Sequence, residues 1–170
     1  MGTIKQRITN CLWFDSQAED AAKFYTSIFK NSSIGAISRY GQEGFDFHKQ
    51  APGTAMVVNF QLDGQDFMAL NGGPVFKFNE AISLVINCES QEEIDYYWEK
   101  LTDGGEEGNC GWLKDKYGLS WQVAPAELGE MMTHPDQERT QRVTRAFLQM
   151  KKFDLEKLRQ EFEGSLVENR

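Results

Sequence analysis

Histidine is nearly absent from this chain of 170 residues: His48 and His134 are the two it has. Acid–base chemistry by imidazole is therefore confined to one loop position and to one position just before Pro135. Basic residues are also in short supply. Eighteen Lys and Arg face 26 Asp and Glu, a net charge of −8. That balance argues against a nucleic-acid partner and against an anionic membrane surface. No apolar run approaches the roughly 18 residues that cross a bilayer. Met1 to Arg7 lacks the apolar stretch of a secretory signal, and Gln6 stands where a myristoylation signal has Ser or Thr. Cysteine is sparse as well. Cys11, Cys88 and Cys110 make an odd count with no close pair, which favours reduced thiols and a cytoplasmic protein. What the chain does have is 40% hydrophobic and 12% aromatic residues, enough for the core of one domain or of two fused half-domains.

One pattern occurs twice. Asn10 to Phe14 is strand-like and meets Ser16, with Glu19 three residues later; Ile82 to Cys88 meets Ser90, with Glu93 three residues later. Each reads as a strand followed by a helix that starts with a capping box. Both serines are followed by Gln, and Phe24 and Trp98 lie at equal distances behind them. A capped strand–helix unit used twice suggests a duplicated module.

Taken in order, Ile4 to Phe14 reads as a strand and Ala18 to Lys30 as a helix with Ala21, Phe24, Tyr25 and Ile28 on one stripe. Strands follow at Ile34 to Tyr40, Thr54 to Leu62 and Gln65 to Leu70, the last two joined by the hairpin signal Asp63-Gly64. The Gly41 to Gly53 loop, with Phe45, Phe47 and His48, is either a lid over a ligand or a surface loop. Asn71-Gly72-Gly73-Pro74 marks a joint. The second copy runs through a strand at Ala81 to Cys88, a helix from Gln91 to Asp103 and strands within Cys110 to Ala124. The fold class is thus α+β: two βαβββ modules at 1–74 and 75–126, then a helical extension at 127–170. In that extension Val143, Phe147 and Met150, then Leu155, Leu158 and Phe162, form apolar stripes that must cover a sheet edge or a second subunit. Pro135 and Asp154 are the start signals.

The runs Ala69-Leu70-Asn71-Gly72-Gly73-Pro74, Phe78-Asn79-Glu80-Ala81-Ile82-Ser83, Gly104-Gly105, Cys110 to Val123 and Phe147 to Asp154 resemble a known group. The duplication is similar to the vicinal oxygen chelate superfamily, which includes glyoxalase I, bleomycin-resistance proteins and extradiol dioxygenases. Within it the chain looks like the PhnB-like family, often labelled 3-demethylubiquinone-9 3-methyltransferase. The resemblance covers roughly the whole chain. It implies a curved eight-stranded mixed sheet with a central cleft, and a homodimer.

The superfamily's enzymes hold a divalent metal on the first and last strands of each module. Carried over one by one, those positions fall on Asn10, Met68, the neighbourhood of Glu80, and Gln122. Two amides, a thioether and one carboxylate make a poor site for zinc, nickel or iron, so no metal and no cofactor are expected. Alternation leaves Asn10, Leu12, Phe14, Met68, Leu70, Ser120 and Gln122 on the cleft face, with Trp13, Phe67 and Trp121 in the core. The cleft face is an apolar basin with a few amides, the make-up of a small-molecule pocket. His48 joins that set if its loop closes over the cleft, and is a solvated loop residue if it does not. Cys110 is a packing residue or, less in keeping with buried thiols, a nucleophile. Gly105-Glu106-Glu107-Gly108 is the nearest approach to a cofactor-binding glycine loop, but it follows a helix and carries two carboxylates. The reading is a metal-free small-molecule binding protein of the glyoxalase/bleomycin-resistance type. The alternative is an enzyme of the same superfamily, glyoxalase- or dioxygenase-like or the labelled methyltransferase. The sequence leaves open whether any reaction is catalysed.

Overall fold

The computed structural model describes residues 6–164 and divides into two compact units, Met1–Phe78 and Asn79–Arg170. The first contains β1 (Asn10–Phe14), α1 (Ala18–Ile28), β2 (Ser33–Arg39), α2 (Phe45–His48), β3 (Ala55–Leu62) and β4 (Gln65–Asn71). Its sheet runs β1-β4-β3-β2, with β1 parallel to β4 and the other pairs antiparallel. Asp63 and Gly64 both have positive φ (48° and 76°), the backbone that a two-residue hairpin demands. Expected positions 4 and 5 of the first strand lie outside the described residues.

Helix α1 lies on the sheet through small side chains. Ala18, Ala21 and Ala22 are fully buried, which brings the helix backbone close to the strands, and Tyr25 stacks on Phe60 at 6.3 Å. Phe60 in turn stacks on Phe67 at 5.5 Å. The expected capping box at Ser16 is not formed. Gln17 is the N-cap residue and offers no side-chain cap bond. The Ala18 N–H instead donates to Asn71 Oδ1 at 2.8 Å, and Asn71 Nδ2 donates to the Ala55 carbonyl at 2.9 Å. A buried amide from β4 thus caps the helix and ties it to β3. Asn71→Ala should cost about 2–3 kcal/mol in urea unfolding, because it leaves a buried N–H and a buried C=O unpaired. A loss within the noise of the measurement would show that this cap is dispensable.

The second unit contains β5 (Leu84–Cys88), α3 (Gln91–Thr102), β6 (Glu106–Glu107), β7 (Trp112–Lys114), β8 (Ser120–Pro125), α4 (Leu128–Met132), α5 (Gln137–Phe147) and α6 (Leu155–Glu163). Its sheet repeats the order of the first: β5-β8-β7-β6, with β5 parallel to β8. The eight strands therefore form two four-stranded mixed sheets. Here the capping residue is the expected one. Ser90 Oγ accepts from the Glu93 N–H at 3.3 Å, and Glu93 Oε2 reaches back to the N–H of Glu89 at 2.8 Å. Ile94, Trp98 and Leu101 face Leu113, Trp121 and Val123 in the core. The two-residue strand β6 was not expected, since two exposed glutamates carry no alternation.

The helical extension packs within this second unit. The N–H groups of Cys110 and Gly111 donate to the carbonyls of Met150 and Lys151, both at 2.7 Å, and Gln91 bridges Phe153 and Leu155. Asp136 and Asp154 cap α5 and α6, and Gly164 ends α6 at φ 75°.

Candidate ligand-binding faces

Each sheet has one face under its helix and a far face on the other side. In the first unit the register settles which residues go where. Cross-strand partners share a face, and the pairs are Asn10↔Phe67, Cys11↔Met68, Leu12↔Ala69, Trp13↔Leu70 and Phe14↔Asn71. Phe67 and Ala69 belong to the core under α1. Leu12 and Phe14, at 7% and 3% exposure, are therefore core residues, and Asn10 stands exposed at the end of the same face. This corrects the expectation that Asn10, Leu12 and Phe14 share a face with Met68 and Leu70. Trp13 and Cys11 are there instead.

Trp13 is held on the far face by its neighbours. Its Nε1 donates to the Gly73 carbonyl at 2.8 Å, and its ring meets Phe76 edge-on at 4.9 Å. A Cβ on Gly72 would lie 2.1 Å from that ring, so glycine there makes room for the indole. Further along lies a depression of about 400 Å³ lined by Asn59, Gln61, Asp66 and Met68 among others. Gln61 Nε2 donates to Asp66 Oδ1 at 2.6 Å within it.

In the second unit the far face carries the expected pair Ser120 and Gln122, and four residues that were not expected. Register places Lys114 opposite Ser120 and Glu106 opposite Lys114, so the three form one row across β6, β7 and β8. Trp112 lies opposite Gln122 in the next row, and Val85 flanks Gln122 on its other side. Gln122 Nε2 donates to Ser83 Oγ at 2.8 Å. Ser120 is 1% exposed, and its Oγ is a buried side-chain oxygen with no hydrogen-bond partner among the described residues. It lines a cavity of about 210 Å³ together with Glu80, Glu106, Glu107, Trp112 and Lys114.

The charges in this cavity are partly matched. Lys114 pairs with Glu80; that hydrogen bond raises the lysine pKa and holds the carboxyl below its usual range. Both groups are solvent-exposed, so the pair adds little to stability. Glu107 accepts from Trp98 Nε1 at 3.2 Å and from Lys151 Nζ at 3.4 Å, and the two bonds lower its pKa in that order of importance. The glycines beside it serve packing. A Cβ on Gly105 would lie 2.1 Å from the Lys114 carbonyl oxygen, and one on Gly108 would lie 2.7 Å from that of Trp112. Their lack of a side chain lets β6 approach β7; it does not shape a cofactor cradle.

His48 is held within its own loop. Its Nδ1 accepts from the Gln50 N–H at 3.0 Å, so Nε2 carries the proton and donates to the Glu43 carbonyl at 3.1 Å. The ring packs on Tyr40 at 4.4 Å and closes its own loop. Burial, with a smaller contribution from Glu93, pushes the Cys88 thiol pKa up to about 12, and burial also raises that of Cys11. Cys110 Sγ rests on the Phe147 carbonyl at 3.6 Å.

Asn10 and Met68 stand on opposite faces of their sheet, the Gln122 amide nitrogen bonds Ser83, and Glu80 is paired with Lys114. Among the described residues no three His, Cys, Asp or Glu side chains gather into a group that could hold a metal ion. These donors do not suit a transition metal.

Comparison with known proteins agrees with the fold. The family model for 3-demethylubiquinone-9 3-methyltransferase matches residues 6–124. The chain is 40% identical to the PhnB protein from Bacillus cereus, described as a 3-demethylubiquinone-9 3-methyltransferase; the match covers 71% of this chain and 100% of that one, with a TM-score of 0.64. Protein PA1353 from Pseudomonas aeruginosa is 18% identical over 71% of this chain and 98% of its own, with a TM-score of 0.57. The fosfomycin resistance protein FosX from Listeria monocytogenes, solved with Mn(II) and sulfate, is 15% identical over 76% and 97%, with a TM-score of 0.51. At those two identities the likeness is one of fold. No curated protein matches the sequence.

Proposed function

Because the chain belongs to the 3-demethylubiquinone-9 3-methyltransferase family, the PhnB-like branch of the vicinal oxygen chelate superfamily, we propose that it binds a small organic molecule on the far face of a sheet, without a transition metal. One observation carries the reading. Ser120 Oγ is buried and unpartnered in the wall of a cavity. A buried hydroxyl left without a partner carries a desolvation cost of about 1–3 kcal/mol, which a ligand's polar group would relieve. The neighbouring Gln122 and Lys114 supply further hydrogen-bonding groups, and Trp112 a flat apolar surface.

Two measurements test this. Protein prepared without chelator should contain zinc, nickel, manganese and iron at well below one atom per chain by elemental analysis, and adding these ions should leave its melting temperature unchanged. A stoichiometric ion that raises the melting temperature would overturn the metal-free reading. A thermal-shift screen with quinones, aromatic antibiotics and phosphonates should yield a stabilising compound whose effect is lost in Gln122→Ala.

The family description also names a methyltransferase, so S-adenosylmethionine belongs in the same screen. With Gly105 and Gly108 committed to strand packing, it should give no shift. A saturable shift would favour the enzymatic reading.

A further inference from the structure

We infer that the cavity on the far face of the second sheet is shaped for a compact organic cation: a protonated amine carried on a flat, apolar body. The inference rests on the small-molecule reading above and adds the sign of the ligand's charge.

Two carboxylates and one ammonium group face the cavity from this side of the sheet, Glu80 and Glu106 against Lys114; Glu107, opposite Leu113, turns its carboxylate to the helix side, where it accepts from Trp98. Glu80 is matched by Lys114, and Glu107 by Lys151 from outside the lining. Glu106 is left over. Among the described residues it forms no ion pair within 4 Å, although Lys114 feels its field. The row Glu106–Lys114–Ser120 places this unmatched charge and the unpartnered Ser120 Oγ on the same face of the same three strands.

Each ligand charge meets this set differently. An anion would have to displace Glu80 from Lys114 and would then face Glu106. A neutral molecule would satisfy Ser120 and leave Glu106 unbalanced. A protonated amine donates to Ser120 Oγ and supplies the missing positive charge to the Glu106 carboxylate. Trp112, half-buried, one row away on the same face and part of the lining, supplies an aromatic surface for the flat body that bears the cation. The cavity, at about 210 Å³, is smaller than the roughly 300–1,000 Å³ of drug-sized sites, so the ligand's anchoring group must be small.

The test is an NMR titration of chelator-treated protein with three probes of matched shape: benzylamine, benzyl alcohol and benzoate. Benzylamine should give saturable shifts at the Ser120 and Lys114 amides and at the Trp112 indole, with the other two about tenfold weaker or worse. Ser120→Ala and Glu106→Gln should each weaken benzylamine about tenfold, the loss of one charge-assisted hydrogen bond. Ser120→Ala removes a hydroxyl that has no partner, so its melting temperature should stay level or rise, which separates lost binding from lost folding. Benzoate binding as well as benzylamine, or benzylamine indifferent to both substitutions, would overturn the inference. If benzyl alcohol or benzoate saturates at these amides and benzylamine does not, the charge assignment fails while the ligand-face reading stands. If none of the three moves them, the charge assignment fails, and the Gln122→Ala screen decides the ligand face separately.

Discussion

Asp115→Ala should destabilise the protein by about 4 kcal/mol, a large part of the 5–15 kcal/mol that holds a typical domain folded. Asp115 is 3% exposed and organises the turn between β7 and β8. Its Oδ1 accepts from the N–H groups of Tyr117 at 2.8 Å and Leu119 at 3.1 Å, and its Oδ2 accepts from Trp121 Nε1 at 2.8 Å. Alanine would leave three donors without these partners, each costing about 1–3 kcal/mol when buried. Asp115→Asn separates the two halves of this role. Its carbonyl oxygen can still serve the turn, but its NH₂ would then face the indole N–H, donor against donor. Asn should therefore fall between wild type and Ala. Urea unfolding followed by Trp fluorescence reads both variants; equal stability of Ala and wild type would refute the assignment. The effect reaches the site, because this turn sets the register that puts Lys114 opposite Ser120.

Gly111→Ala is the second large effect, expected at about 3 kcal/mol or more. Two costs add. Gly111 has φ 80°, where an L side chain costs about 1–2 kcal/mol. A Cβ would also meet the Phe153 ring at 2.4 Å and the Val123 carbonyl oxygen at 2.7 Å. Overpacking of that kind costs about 1–3 kcal/mol, and a backbone oxygen cannot swing aside. Gly118 is the control: φ is 84°, but nothing lies within 4 Å of the added carbon. Gly118→Ala should show the strain alone. If the two substitutions cost the same, the close approach of Phe153 to the second sheet is not tight.

Most of the fold could be read from the residues, because the signals that define it are local. The repeated strand–helix unit, the Asp63-Gly64 hairpin, and Asp154 and Gly164 at the ends of α6 all act within a few residues of where they stand. What escaped was set at long range. Ser16 has the spacing of a capping box, yet α1 is capped by Asn71, 53 residues further along the chain. Alternation in β1 separates Leu12 from Trp13 correctly, but it cannot say which of the two faces inward. The parallel register with β4 decides that, and it puts the larger aromatic on the far face. Glu106 could not be placed at all until β6 was seen to pair with β7. On the candidate site, Ser120 and Gln122 could be assigned to one face because they alternate with Trp121 and Val123 along β8. Lys114 and Trp112 come from the adjacent strand and needed the pairing.

The most direct test of a metal-independent ligand face on the second sheet is fragment mapping by NMR with chelator present throughout. The account predicts that the fragments which bind will shift the amides of Trp112, Lys114, Ser120 and Gln122 as one cluster. Shifts that gather elsewhere, or that arise at these residues only after a transition metal is added, would contradict it.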